Sequence, residues 1–211
     1  MTNNKELHKQ ESFYKKAKKE GYRARSAYKL LDIQKRFNIF KRAFYILDLG
    51  SAPGSWLQVA KIITEENLNK FNDQYYHRDH YKIMGIDSKK VSPIENIKII
   101  QADLTQREIQ DEIDFYFQEK LDLIISDASI KKTGNKFTDH IKQLNLCYKV
   151  LEIVEKSLKF RGNMVIKAFQ GADINNFVKN LKSKFKILKV YKPKPSKKTS
   201  NEIFLVGLHK I

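Results

Sequence analysis

Four aspartates, Asp48, Asp87, Asp103 and Asp127, stand at or just past the ends of short apolar runs near 44–47, 83–86, 97–100 and 121–125. A lone aspartate after a strand is usually a turn former or a helix cap. Four in register suggest instead a ligand that carries positive charge and several hydroxyls. The first lies in Leu47-Asp48-Leu49-Gly50-Ser51-Ala52-Pro53-Gly54-Ser55-Trp56, where a strand end gives way to a sharp turn and then a helical pattern. Glycines there let backbone approach a ligand closely, and a helix N-terminus offers free N–H groups. The loop is none of three familiar sites. It is not G-x-G-x-x-G, a Walker A loop would need Lys-Ser/Thr after its last glycine, and a nucleophile elbow would need serine where Ala52 stands. The Asp-x-Gly-x-x-Pro-Gly pattern that remains suits a small polar head rather than a pyrophosphate.

Charge points to a second partner. The chain has 211 residues and a formal charge of +17, from 41 Lys and Arg against 24 Asp and Glu. An excess of that size favours an anionic polymer. Cys147 is the single cysteine, so no internal disulfide is available and a reducing, intracellular compartment is expected, with cytoplasm, nucleus and organelle not distinguished. No apolar run is long enough to span a membrane, and the first twenty residues have no signal-peptide or transit-peptide pattern. The length fits one domain, expected as a monomer: a solvated basic arm over 1–20, then a single domain over 21–211.

The elements that must position the acids alternate. Ala27, Leu30, Leu31 and Phe37 keep helical spacing, so an amphipathic helix is expected before the first strand, with Tyr22, Arg23, Arg25 and Tyr28 at its start, which could grip phosphates and stack on bases; a surface helix with solvated charges explains them equally. After the first strand and its helix, 65–81 is polar and aperiodic and reads as a surface insertion. Its His77 and His80 lack further ligands at metal spacing, so no metal site is expected. Thr105 and Glu108 stand in capping-box relation before a helix that buries Ile109, Ile113 and Phe117. Another helix, with Cys147 in its apolar stripe, is expected to close at Gly162. Two strands near 185–191 and 202–208 flank the stiff basic stretch 192–200. The alternation predicts a doubly wound, mostly parallel sheet, Rossmann-like, with ligands beyond the carboxyl ends of its strands.

Taken in order, Arg23-Ala24-Arg25-Ser26-Ala27-Tyr28-Lys29-Leu30, the 48–56 loop, Asp87, Asp103, Ser126-Asp127, Val165-Ile166-Lys167-Ala168-Phe169-Gln170-Gly171 and Ser200-Asn201-Glu202 resemble the FtsJ-like family of RNA methyltransferases. The resemblance covers about 12–210 of the sequence. It implies a seven-stranded sheet with an antiparallel last strand, and transfer of a methyl group from S-adenosylmethionine to a ribose 2′-hydroxyl of RNA, without a metal. It also implies a catalytic tetrad of Lys29, Asp127, Lys167 and Glu202. Cofactor contacts are expected from Asp48, Gly50, Pro53, Gly54, Ser55, Trp56, Asp87, Asp103 and Asp127. Ribosomal RNA or the large ribosomal subunit is the expected substrate; transfer RNA, an mRNA cap ribose, or a non-catalytic RNA-binding assembly factor are the alternatives. One departure stands out. Where the family reads Met-Ala-Pro-Asn-x-Ser-Gly, this chain has Ala128-Ser129-Ile130-Lys131-Lys132-Thr133-Gly134, which alters the substrate side of the pocket.

Overall fold

Side-chain alternation along the strands decides the layering. In β1 (Tyr45–Leu49) Ile46 faces one helical layer while Leu47 and Leu49 face the other. In β4 (Leu121–Ser126) Leu123 and Ile125 share the first face and Ile124 the second. The same holds for Val165 against Met164 and Ile166 in β5 (Leu158–Phe169). A sheet apolar on both faces must be covered on both. In the computed structural model, which describes residues 4–71, 80–106, 108–131, 133–171 and 173–211, α2 (Ala27–Phe37) and α3 (Ser55–Phe71) cover one face. The other is covered by α4 (Ile109–Phe117), α5 (Lys136–Ser157) and α6 (Ile174–Lys182).

With β2 (Lys82–Asp87), β3 (Lys98–Gln101), β6 (Phe185–Tyr191) and β7 (Glu202–Lys210), the sheet has seven strands in the order β3-β2-β1-β4-β5-β7-β6. The first five of that order pair in parallel, and β7 is antiparallel to both β5 and β6. This is the expected Rossmann-like sheet. The strand order reverses between β1 and β4, where Leu49 lies beside Ser126, so a crevice opens at their carboxyl ends. Because β7 runs the other way, its first residue, Glu202, pairs with Phe169 at the carboxyl end of β5. One edge of the sheet thus gathers residues far apart in sequence.

Several local expectations give way. The arm over 1–20 is helical from Asn4 to Lys19 (α1); over 11–20 most of its residues are exposed, as expected, and Ala17 is buried. The polar stretch from Glu65 continues α3 to Phe71, with Asn67 buried and donating to the Phe40 carbonyl at 2.7 Å. His77 lies outside the described residues; His80 hydrogen-bonds the Tyr45 hydroxyl at 2.8 Å. Gly162 does not end a helix. It lies inside β5, packed on Leu158, and α5 stops at Ser157 because the chain is captured by the sheet. Glu108 makes no side-chain cap, because Thr105 is drawn to Asp103: its N–H and hydroxyl both donate to Asp103 Oδ1, at 2.9 and 2.8 Å.

Candidate active site

A cavity of about 1000 Å³ opens at the strand reversal. Asp87, Asp103, Asp127 and Lys167 line it, together with the apolar Leu104, Ala128, Ile130 and Leu146. Asp48 lies deeper, inside β1, fully buried, and neither of its carboxylate oxygens has a hydrogen-bond partner among the described residues. Burial, reinforced by Asp127 and then Asp87, pushes its carboxyl well above the ordinary carboxylate range. Asp103 goes the other way: the Thr105 N–H and hydroxyl hold its carboxyl below that range. Carboxyls beside an apolar wall suit a ligand with hydroxyls, a cationic centre and a flat ring, and the donor set therefore fits S-adenosylmethionine.

The glycine loop closes on the protein itself as much as on a ligand. Gly50 has φ of +80°, and a Cβ there would come within 2.4 Å of the Ala128 Cα, so the close approach is by the chain's own β4–α5 loop. At Gly54, φ +107°, a Cβ would collide with the Arg23 guanidinium at 2.6 Å. That arginine is not free to grip a phosphate. It donates to the carbonyls of Ser92 at 2.6 Å, Pro93 at 2.8 Å and Pro53 at 3.3 Å, clamping the 88–97 connection to the loop. Tyr28 is likewise buried, its hydroxyl donating to Glu20 at 2.8 Å. The Ala52 N–H donates to Asp87 Oδ2 at 2.9 Å, so β2 holds the loop's crest.

Of the nine residues expected at the cofactor, Gly50, Asp87, Asp103 and Asp127 line the cavity, and Asp48 sits beneath it. Pro53, Gly54, Ser55 and Trp56 do not line it. Ser55 and Trp56 turn their side chains to the start of α2. The hydroxyl oxygens of Ser55 and Ser26 are 2.8 Å apart, and Trp56 Nε1 donates to the Ser26 carbonyl at 2.9 Å. The Trp56 ring is buried against Phe204, 5.8 Å between centroids. Only the main chain of these two residues is left for a ligand.

Lys29, Asp127, Lys167 and Glu202 come together from α2, the end of β4, β5 and the start of β7. Lys29 Nζ sits between the two Glu202 oxygens at 2.7 and 2.9 Å, and 3.9 Å from Asp127 Oδ1. Lys167 Nζ is 3.1 Å from the same Asp127 oxygen and also donates to the Asp127 carbonyl. Lys167 is buried and lines the cavity. Burial works to raise the Glu202 carboxyl, but the Lys29 ammonium, then Lys167 and a hydroxyl from Ser196, outweigh it and hold the group below the carboxylate norm.

In the altered stretch, Ala128, Ile130 and Thr133 are held without the family's proline and asparagine. Gln143, buried on α5, donates to the carbonyls of Ala128 at 3.1 Å and Lys167 at 3.2 Å, and accepts from the Ile130 N–H at 3.2 Å. One turn earlier, Asp139 accepts from the Thr133 N–H and hydroxyl, both at 2.8 Å. The sequence carried a signal for both, unread: Asp139 and Gln143 keep the helical phase of Cys147 and Val150, so they are polar groups on a buried stripe. Leu146, partly buried at the edge of that stripe, lies on the cavity wall. No group of three or more His, Cys, Asp or Glu among the described residues could hold a metal ion.

This sheet order, with a crevice at the strand reversal that Asp87, Asp103 and Asp127 line among several lysines, is that of a Rossmann-like methyltransferase domain. The chain belongs to the FtsJ-like methyltransferase family, whose model matches residues 22–210. It is 36% identical over 210 residues to the Methanosphaera stadtmanae protein called ribosomal RNA large subunit methyltransferase E, covering 98% of this chain and 96% of that one. The Rickettsia akari protein of the same name is 37% identical over 92% of this chain and 82% of its own. A crystal structure of a Plasmodium falciparum protein assigned as a ribosomal RNA methyltransferase superposes with a TM-score of 0.76 at 30% identity, over 90% of this chain and 98% of that one.

Proposed function

We propose that the protein transfers a methyl group from S-adenosylmethionine to a ribose 2′-hydroxyl of large-subunit ribosomal RNA. The observation that carries the reading is the meeting of Lys29, Asp127, Lys167 and Glu202 beside the cavity, with Asp127 and Lys167 on its wall. The name shared by the relatives supports ribosomal RNA as the substrate. Bound in the cavity, S-adenosylmethionine supplies a methyl group on a positively charged sulfur. Asp87 and Asp103 suit its hydroxyls, and Gly50 and Ala52 border the rest. A ribose hydroxyl is a weak nucleophile, so placement close to the methyl and removal of its proton are what the protein must provide. Lys167 Nζ is the group placed to receive the hydroxyl's proton, while the hydroxyl oxygen would take the methyl group from the sulfur. Asp127 aims Lys167, and the Lys29–Glu202 pair closes the other side of the hydroxyl's position.

Basic groups around α2 and the 192–198 loop suit the RNA backbone. Lys35, Arg36, Lys194, Lys197 and Lys198 are exposed, and the Tyr191 hydroxyl and Lys194 N–H both donate to Asp32 of α2, at 2.7 and 2.9 Å. Lys167→Ala should lower the single-turnover methylation rate by on the order of 10²–10⁴-fold, with RNA and cofactor binding nearly intact. Lys167→Arg should fail too, since a guanidinium keeps its proton. Near-wild-type turnover by the arginine variant would make Lys167 a fixed charge rather than the base.

A further inference from the structure

The basic loop after β6 is a fixed structure. Pro193 is buried, Asp32 accepts the Tyr191 hydroxyl and the Lys194 N–H, and Lys192 Nζ donates to the Lys198 carbonyl at 3.1 Å and to that of Ser200. At its centre the Ser196 hydroxyl donates to Glu202 Oε1 at 3.0 Å. That same oxygen is 2.7 Å from Lys29 Nζ. The loop proposed to meet RNA is therefore hydrogen-bonded to the acid proposed to hold Lys29.

We propose that Ser196 is a positioning residue that links engagement of RNA by the basic loop to the setting of the Lys29–Glu202 pair. The inference rests on the catalytic reading of the tetrad given above. A carboxylate with one oxygen shared between an ammonium and a hydroxyl has its plane fixed, and Ser196 supplies the contact that comes from the substrate-facing side. The groups around Glu202 are Lys29 from α2, Lys167 from β5 and Ser196 from the loop; Asp127, at the end of β4, faces the two lysines. Lys194 lies two residues before Ser196, and Lys197 and Lys198 follow it directly, so phosphates held by these lysines would fix the segment that carries the Ser196 hydroxyl.

The test is a mutant cycle read by single-turnover methylation at saturating RNA and S-adenosylmethionine. Ser196→Ala should lower the rate roughly 3- to 10-fold, the range for losing one ordinary net hydrogen bond. RNA and cofactor dissociation constants should stay unchanged, and Ser196→Thr, which keeps the hydroxyl, should restore the rate. In a Glu202→Ala background, Ser196→Ala should have no further effect, because the group it acts through is gone. Equal losses in the two backgrounds, or a serine variant indistinguishable from wild type, would overturn the link. Should Lys167→Ala itself keep full activity, the catalytic reading fails; if Lys167→Ala is dead and Ser196→Ala is normal, only this inference fails.

Discussion

Asp48 is the residue whose chemistry is least like its appearance in the sequence. It occupies the second-last position of β1, fully buried, paired in the sheet with Gly85 and Ile125, and its side chain has no hydrogen-bond partner among the described residues. A carboxyl in that position resists ionisation, so its folded value lies above the unfolded one. The native state then binds the extra proton, and the sign follows. Its cost to stability is absent below the unfolded value, about pH 4, and grows as pH rises toward the raised folded value. Asp48→Asn removes the titration with little change of shape. Denaturant unfolding should show the variant gaining on wild type as pH increases through that window. A difference that stays flat with pH would mean that the Asp48 carboxyl titrates normally in the fold.

At the scale of elements, two connections carry the site. The β4–α5 loop crosses Gly50 and is held from α5 by Gln143 and Asp139, which places Ala128 and Ile130 on the cavity wall. The β6–β7 loop is hung on Asp32 and Glu202 by Tyr191, Lys194 and Ser196. This second loop yields a prediction of its own. Replacing Lys194, Lys197 and Lys198 together by alanine should weaken RNA binding and lower its salt slope by about 0.7 for each single-strand phosphate that is no longer neutralised. Cofactor affinity, read by calorimetry, should not move. RNA affinity unchanged at several salt concentrations would show that these lysines are only solvated.

For the molecule as a whole, the two ligands are held by charges of different kind. The +17 excess lies largely on the surface, where salt screens it, while the carboxyls at the cavity are local and partly buried. RNA affinity should therefore fall linearly on a log–log plot against salt, whereas S-adenosylmethionine affinity should change far less over the same range. Parallel salt dependence of the two would contradict this division. Among the described residues no helix is long and apolar enough to cross a membrane.

The sequence by itself determined the sheet, the order of its motifs and the positions of the acids, because burial on both faces demands unbroken apolar strands and sharp turns demand glycine. Lys29, Asp127, Lys167 and Glu202 could be singled out from motif order, and the strand ends carrying the last three follow from the alternation. Which groups remain available to a ligand was decided only in three dimensions. Arg23, Tyr28, Ser55 and Trp56 look like ligand-binding residues along the chain, yet the fold engages their side chains with the Glu20 carboxylate, the Ser26 hydroxyl and the carbonyls of Ser26, Ser92 and Pro93. Thr105 reads as a helix cap until Asp103 is found beside it, and Ser196 reads as a loop serine until β7 brings Glu202 within 3.0 Å. Local pattern fixes what each segment can form, but a polar side chain bonds to whatever the fold sets within its reach, and that neighbour is commonly far away in sequence.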